Sequence, residues 1–205
     1  RLVGSEMCIR DSLPAGSYFI QVFRIGEDGG YSALSTAQYS FTVKSAGSFS
    51  ITSPSGYAAY CFQHAFIVPE GLDCGVVTQA DSKRLAIDFR YPSGSTVPAG
   101  TAVIMRGEGR HNYSYQAVVS AEEAPADNLL KASVDDNGYA LAGTGEYRYY
   151  DFGQDDVTGL YGFYWRNETG APFRITGKKA YLAVPVDLAK PDGYPIDEAE
   201  ITGIG

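Results

Sequence analysis

Val97-Pro-Ala-Gly-Thr-Ala-Val-Ile-Met-Arg-Gly107 is the stretch that decides the fold. Its Pro-Ala-Gly segment has the composition of a β-turn, and the apolar run that follows stops at Gly107, as a short buried strand does. Similar phrases lie on either side, Phe66-Ile-Val-Pro-Glu-Gly71 upstream and Lys179-Ala-Tyr-Leu-Ala-Val-Pro185 downstream. Together, the three phrases predict a single β-domain.

The composition indicates the same fold class. The 205 residues include 16 Tyr, 10 Phe and 24 Gly, and they leave room for one large or two small domains. Tyr and Phe favour strands, whereas Gly favours turns and bulges. No stretch carries the apolar stripe of an amphipathic helix. We therefore predict an all-β chain, with an antiparallel β-sandwich or barrel-like domain preceded by a partial Ig-like hairpin.

The charge and the cysteines exclude several classes of partner. A net charge of −8, dispersed along the chain, argues against nucleic acid and against docking on anionic lipid. No apolar run is long enough for direct membrane insertion, and the three Cys lack zinc-site spacing. We expect no cofactor and no metal.

Residues 57–185 read as the main domain, because short alternating or apolar segments are separated by turn residues. A helical turn is predicted at 124–131, where it would insert Leu129 and Leu130 into the core. The predicted strands are 57–62, 64–68, 73–78, 85–90, 102–106, 112–119, 139–141, 147–152, 160–165 and 180–184.

Three segments outside this domain differ from it in composition and are interpreted separately. Residues 1–12 resemble the peptide read from a translated sequencing adapter, a contaminant of metagenomic reading frames, and are interpreted as non-native. Residues 46–56 are rich in Ser and Gly and read as a linker, in which Phe49 and Ile51 could add a brief strand. Residues 186–205 read as an acidic tail that leads to a C-terminal sorting segment.

Residues 13–45 read as a hairpin, with a strand after the Leu13–Gly16 turn and a second strand at 37–43. The segment resembles the last two strands of a fibronectin type III-like module. The matching positions are Leu13, Gly16, Tyr18, Gly30, Ser32 and Ser35. The spacing from Leu13 to Tyr18 is one residue shorter than in the commonest version of that motif.

The order of the phrases in residues 57–185 resembles the C-terminal β-domain of large secreted and cell-surface proteins of Bacteroides and Prevotella type bacteria. The matching phrases also include Asp127-Asn-Leu-Leu130 and Gly162-Phe-Tyr-Trp165. The resemblance implies a secreted or surface location and partner domains upstream in the same protein. It implies no activity for the domain itself.

Three groups of side chains could carry chemistry, as a disulfide, a catalytic dyad or a calcium site, or could serve only the fold. Cys61 and Cys74 could form a disulfide or be two buried thiols. A Cys61–His64 dyad is disfavoured, because side chains three residues apart on a strand face opposite sides. Asp135–Gly138, and Asp151 with Asp155–Asp156, offer oxygen ligands for calcium but lack the spacing of a known loop.

Aromatic residues concentrate between Tyr147 and Trp165. If one face of these strands lies outside the core, it could stack on sugar rings or contact a protein. If not, the rings are cross-strand pairs that fill the core. The candidate ligand platform consists of Tyr147, Tyr149, Tyr150, Tyr164 and Trp165.

These observations leave three functional hypotheses. The preferred one is a non-catalytic module that acts as a spacer or adaptor. The second is a binding module that uses the aromatic platform for a glycan or a host or surface protein. The third is an accessory region of a peptidase or glycosidase whose catalytic domain lies upstream.

Overall fold

The computed structural model describes residues 46–118, 120, 122–133, 144–165, 173, 175 and 177–203, and the backbone alone of 16–20, 24–25, 31–32, 39–43, 139–140 and 174. The predictions for residues 1–12 and for Asp135–Gly138 fall outside the described residues.

The all-β prediction is confirmed, and the part of the chain that the structure describes contains no α-helix. A single 3₁₀ turn, Ile196–Glu198, occurs near the end of this part. The strands are β1 Gly16–Ile20, β2 Arg24–Ile25, β3 Tyr31–Ser32, β4 Tyr39–Val43, β5 Ala46–Ile51, β6 Tyr57–Cys61, β7 Ala65–Ile67, β8 Asp73–Ala80, β9 Leu85–Tyr91, β10 Thr96–Val97, β11 Ala102–Arg106, β12 His111–Val118, β13 Leu130–Ala132, β14 Tyr139–Ala140, β15 Tyr147–Gln154, β16 Tyr161–Tyr164, β17 Phe173–Arg174, β18 Ala180–Pro185, β19 Tyr194–Pro195 and β20 Glu200–Thr202.

Three larger sheets form a layered sandwich and not a closed barrel. The middle sheet has the strand order β20-β9-β8-β11-β6. The first outer sheet, β10-β7-β12-β5, covers one of its faces, and the second outer sheet, β13-β18-β15-β16-β19, covers the other. β6, β8 and β11 are therefore buried on both faces, whereas Ala86, Asp88 and Arg90 on the outer face of β9 are only partly buried.

This double burial explains the apolar run in the stretch Val97–Gly107. In β11, Val103 and Met105 enter the core under the first outer sheet, whereas Ala102 and Ile104 enter the core under the second. A strand with one solvated face would alternate apolar and polar residues, but a strand between two cores has no solvated face. The unbroken run is thus typical of a central layer.

The two cores differ in composition. The first core, between the middle and first outer sheets, is rich in aromatic rings: Phe49, Phe62, Phe66, Tyr113 and Tyr115. The second core, on the opposite face, combines aliphatic and aromatic side chains: Ile87, Leu182, Val184, Tyr150 and Phe163. Full burial of one such side chain stabilises the fold by about 1.5–3 kcal/mol, so both layers contribute substantially.

Two predicted turns are present, one inside the opening stretch at Gly100 and one at the end of the upstream phrase at Gly71. Gly100 has a φ of +71° and Gly71 has a φ of +74°, which lie in the left-handed region that residues other than Gly rarely adopt. The amide of Gly100 donates to the carbonyl of Phe62 at 2.9 Å. This bond joins the turn before β11 to the end of β6.

The linker prediction for residues 46–56 was wrong for its first half. Residues 46–51 form β5, which pairs along its whole length with β12. Phe49 and Ile51 are buried in the first core. The brief strand expected at Phe49 and Ile51 is thus a full strand, and its partner lies sixty or more residues further along the chain.

The tail prediction for residues 186–205 was also wrong for most of the segment. Tyr194 in β19 and Ile196 in the 3₁₀ turn are buried in the second core. β20 then adds to the edge of the middle sheet, parallel to β9. The folded domain therefore includes residues on both sides of the predicted boundaries 57–185.

The predicted helical turn at 124–131 was wrong in conformation but right about burial. The segment forms a turn at 126–127 and then becomes β13 at Leu130. Leu130 lies in the second core and Leu129 packs against it. Asn128 fixes the segment that leads into β13, because its side-chain amide donates to the carbonyl of Ala102 at 2.7 Å.

The backbone of the predicted hairpin in residues 13–45 is present. β1 pairs antiparallel with β4, and β2 pairs with β3 in the segment between them. The resemblance to a fibronectin type III-like module stays a prediction.

Candidate functional site

Tyr150 is a core residue, so its assignment to a ligand platform was wrong. In β15, Tyr150 and Phe152 face the second core. The Tyr150 side chain is fully buried, and its hydroxyl donates to the carbonyl of Lys190 at 2.9 Å. Burial raises the pKa of this phenol, which stays protonated as a structural donor.

Tyr164 and Trp165 do not form an open platform either. The Tyr164 ring is buried, and its hydroxyl donates to the carbonyl of Leu160 at 3.1 Å. Trp165 packs against the second core, and the Arg148 guanidinium lies 3.9 Å from the centre of its ring. A sugar could not stack on the ring face that Arg148 covers.

The remaining platform residues, Tyr147 and Tyr149, lie outside the core. Tyr147 is 41% exposed, and Tyr149 makes an edge-to-face contact with Tyr181 at 5.3 Å between ring centres. The last residue of β18, Pro185, pairs with Tyr147. Val186 and Leu188 come directly after it in the chain, and each is 43% exposed. We call the set Tyr147, Tyr149, Tyr181, Val186 and Leu188 the tyrosine face.

Three members of the tyrosine face, Tyr181, Val186 and Leu188, were not predicted from the sequence. Tyr181 lies between Ala180 and Leu182, which both enter the second core. The alternation of β18 therefore placed Tyr181 outside, and this signal was present in the sequence. Val186 and Leu188 follow the strand in a turn and had no such signal.

Of the two alternatives for Cys61 and Cys74, the structure shows two buried thiols and no disulfide. β11 lies between β6 and β8, and the two side chains enter different cores. Burial raises the pKa of Cys61 to about 11. Burial also raises the pKa of Cys74, to which the negative charge of Asp73 adds. Both groups therefore remain protonated thiols near neutral pH, which makes them poor nucleophiles.

His64 does not pair with Cys61. Its Nε2 lies 3.1 Å from the hydroxyl of Tyr115, and its ring stacks on Tyr115 and Phe62 of the first core. Cys61 enters the second core instead. Burial and the nearby Lys178 lower the pKa of His64, so the neutral ring that packs well among aromatics is favoured.

Asp155 serves as a turn residue. Its Oδ1 accepts hydrogen bonds from the amides of Val157 and Thr158 and from the Thr158 hydroxyl, at 3.2, 2.7 and 2.8 Å. This pattern is typical of an aspartate that closes a β-turn, here between β15 and β16. Within the described ranges, no group of three or more His, Cys, Asp or Glu side chains is arranged to hold a metal ion.

A cleft of about 320 Å³ opens where the second outer sheet diverges from β6. Tyr57, Phe152, Tyr161 and Lys179 are among its lining residues. Phe152 packs on Phe163 at 5.2 Å, and the Lys179 ammonium lies 3.9 Å from the centre of the Tyr60 ring. These two side chains are thus held by contacts inside the protein.

The first strand of the domain, β5, and its last strand, β20, run in the same direction. The ends of the middle sheet serve as the reference. Tyr57, Asp73, Tyr91 and Arg106 align at one end of the middle sheet, which we call the near end. Cys61, Ala80, Leu85 and Ala102 mark the opposite, far end.

β5 begins at the far end and runs to the near end. Its last residue, Ile51, pairs with His111, just after the near-end turn that joins β11 to β12. β20 runs the same way, since Glu200 pairs with Ala86 and Thr202 pairs with Asp88 in parallel register. The chain thus enters the domain at the far end and leaves it heading for the near end.

Specific contacts hold both strands. The Tyr60 hydroxyl donates to the carbonyl of Ser50 in β5 at 2.8 Å. Arg84 forms an ion pair with Glu200 of β20, and the Thr202 hydroxyl lies 3.5 Å from the carbonyl of Ile87. Arg84 and Glu200 lie more than 110 residues apart in the chain, so this pair links the end of the domain to the β8–β9 turn.

Comparison with protein-family models, curated proteins and solved structures gave no match for this chain. Among the described residues, no helix has the length and hydropathy needed to cross a membrane.

Proposed function

We propose that this chain is a non-catalytic structural module that acts as an in-line spacer in a secreted or cell-surface protein. The observation that carries the proposal is the shared direction of β5 and β20, at the two boundaries of a domain whose strands β6, β8 and β11 are covered on both faces. The location rests on the resemblance of the three strand phrases.

A spacer has to hold two attachment points at a fixed separation. A sheet between two packed cores supports this, because bending it would open one core or the other. The attachment points here are Ala46 and Thr202, both exposed. Any segment before Ala46 and any segment after Thr202 would continue in opposite directions along the strands.

Spin labels at these two points test the spacer role. In the full chain, Ala46→Cys and Thr202→Cys accept labels, Cys8→Ser removes a competing thiol, and the buried Cys61 and Cys74 stay unlabelled. Strand spacing and rise predict a single narrow distance distribution at roughly 20–30 Å. The same sample unfolded in urea is the control and should give a broad distribution. A broad distribution under native conditions would rule out the spacer role.

The tyrosine face favours a second candidate function, the binding of a glycan or a surface protein. Tyr147, Val186 and Leu188 are exposed large apolar side chains at the same end of the β15–β18 pair. Exposed apolar groups of this kind often mark interaction sites. A glycan array probed with the full chain and with Tyr147→Ala tests this candidate. Glycan binding that is lost in Tyr147→Ala supports this candidate function. If no glycan on the array binds the chain, glycan binding by the tyrosine face is ruled out.

A further inference from the structure

We propose that the cleft between β6 and the second outer sheet binds a single neutral sugar ring, such as the terminal residue of a glycan. The site is separate from the tyrosine face, since no member of that face is among the described residues that line the cleft. The inference goes beyond the spacer role and does not depend on it. It rests on the walls of the cleft, its hydrogen-bonding groups, its charges and its volume.

The cleft follows from the way in which β18 joins two sheets. The register between β15 and β18 ends at the Asp151–Tyr181 pair, whereas β15 continues to Gln154 beside β16. The residue before β18, Lys179, pairs instead with Tyr60 of the middle sheet. The end of β15 and the start of β6 therefore lie on two sides of a gap. Since both walls are strands of packed sheets, the cleft is a fixed part of the fold.

Three half-buried aromatic rings line the cleft. Tyr57 lies at the start of β6, Phe152 in β15 and Tyr161 in β16. Tyr161 comes two residues before the core ring Phe163, so both side chains point to the inner side of β16. The centres of the Phe152 and Tyr161 rings are 6.5 Å apart. These rings give the cleft an apolar wall, against which the CH groups of a sugar ring can pack.

The edge of β6 supplies a backbone donor to the cleft. The amide of Cys61 points away from β11 and donates to the carbonyl of Lys178 at 2.8 Å. Because hydrogen-bonding directions alternate along a strand, the amide of Ala59, two residues earlier, also points away from β11. Among the described residues, the pairing at this edge is limited to the single bridge at Tyr60. The Ala59 amide, in a residue that lines the cleft, is therefore placed to donate to a ligand oxygen.

The charges that line the cleft favour a neutral, hydroxyl-bearing ligand. Lys179 and Asp151 both line it, so the field does not select for an ion of either sign. The Lys179 ammonium is held 3.9 Å from the centre of the Tyr60 ring, and an ammonium group is a strong donor to a hydroxyl oxygen. Within the part of the chain that the structure describes, the hydroxyls of Tyr57 and Tyr161 have no hydrogen-bond partner. They add two groups that can donate or accept.

The volume of the cleft sets the size of the ligand. At about 320 Å³, the cleft lies at the small end of the range of ligand sites, which runs from roughly 300 to 1,000 Å³. A single pyranose ring suits this space, and the rest of a glycan would extend into solvent. A purely aliphatic ligand would leave the polar groups of the cleft without partners, which disfavours it.

An NMR titration of the full chain tests the proposal. The probes are the methyl glycosides of glucose, galactose, mannose and N-acetylglucosamine, added one at a time to isotope-labelled protein. We expect at least one of them to bind with a dissociation constant of about 1 mM and to shift the amide resonances of Ala59, Gly153 and Lys179. If no glycoside binds, the proposal is overturned. Shifts confined to Tyr147 and Val186 would place the sugar on the tyrosine face and would overturn it as well.

A matched pair of tyrosine substitutions tests the same site. Tyr161→Ala removes part of the cleft wall and should weaken binding of that glycoside roughly tenfold or more. Tyr91→Ala is the control, because Tyr91 is also half-buried but packs against the first core, away from the cleft, and it should leave the affinity unchanged. Equal weakening by the two substitutions would contradict the assignment.

Tyr161→Phe keeps the test valid if Tyr161→Ala impairs folding. This variant retains the ring in the cleft wall and loses only the hydroxyl, so it should fold and weaken binding roughly twofold or more. Urea unfolding of each variant reports whether it is folded. An unchanged affinity in both folded Tyr161 variants would remove the sugar from the cleft.

Discussion

Gly47 illustrates how the absence of one side chain allows the first outer sheet to close. The Tyr115 ring lies directly over Gly47, where a Cβ atom would overlap the ring and its hydroxyl. Tyr115 in turn contacts Phe49, Phe62, Phe66 and His64, so its ring cannot move without disturbing the first core.

Gly47→Ala should therefore destabilise the protein by roughly 1–3 kcal/mol, as overpacking does in a filled core. Urea unfolding measures the change. Gly145→Ala is the matched control, because a Cβ there meets no atom within 4 Å, and it should change stability by less than about 0.5 kcal/mol. Equal effects of the two substitutions would contradict the packing described for Tyr115.

Cys61 predicts a dependence of stability on alkaline pH. Its folded-state pKa is raised to about 11 from an ordinary value of 9.0, so unfolding releases a proton between these two values. The stability that the protonated thiol contributes is fully present below pH 9 and is lost as the pH rises through about 11.

Cys61→Ala should remove this part of the alkaline destabilisation. Because one pKa unit corresponds to about 1.4 kcal/mol, the fall in unfolding free energy from pH 8 to pH 11 should be roughly 2 kcal/mol smaller in the variant. Tyrosines with raised pKa values contribute to the fall in both proteins, so only the difference between them is interpreted. Parallel pH profiles would show that Cys61 titrates normally in the folded protein.

The sequence identified the aromatic residues of the candidate site but not the face that each occupies. In Tyr147–Phe152, rings occupy both sides of the strand, so alternation alone separates two sets without showing which set is buried. The structure selects Tyr150 and Phe152 as core. The choice between a disulfide and two thiols for Cys61 and Cys74 could not be made for a related reason, because no local pattern shows that β11 lies between β6 and β8.

At the level of elements, local signals predicted most strands of residues 57–185. β11 was predicted with its observed bounds, Ala102–Arg106, and the turns at Gly71 and Gly100 were predicted from Pro and Gly. Elements that depend on distant partners were missed or underestimated: β20 was not predicted, and β5 was expected only as a brief strand at Phe49 and Ile51. β5 is a strand because β12 pairs with it, and β20 is a strand because β9 does. Neither condition is visible in a local pattern.

Asn128 connects two elements that belong to different sheets. Its side-chain amide donates to Ala102 of β11, and its side-chain oxygen accepts from the amide of Leu130 at 3.0 Å. Both bonds are buried, so loss of the side chain would leave a buried donor and acceptor unpaired.

Asn128→Ala should lower the free energy of unfolding by roughly 1–3 kcal/mol, measured in urea. Asn112→Ala is the control, because Asn112 is exposed and its side-chain oxygen accepts a surface hydrogen bond from Ser50. Asn112→Ala should lower the free energy of unfolding by less than about 0.5 kcal/mol. A neutral effect of Asn128→Ala would show that the segment before β13 is held by Leu129 and Leu130 alone.

At the scale of the whole molecule, the layered arrangement explains both the sequence and the proposed role. A middle sheet between two cores requires apolar residues on both faces of β8 and β11, and the sequence has them. The same arrangement makes unfolding of one core expose the other, so we expect the domain to behave as one cooperative unit.

Native-state hydrogen exchange of the full chain tests this central claim most directly. We predict that the amides of β8 and β11, such as those of Val77 and Ile104, exchange only through global unfolding. Their exchange free energies should equal the unfolding free energy from urea, while amides of β20 should exchange at lower free energy. Exchange of the β8 and β11 amides as fast as those of β20 would contradict a middle sheet sealed between two cores, and with it the rigid spacer.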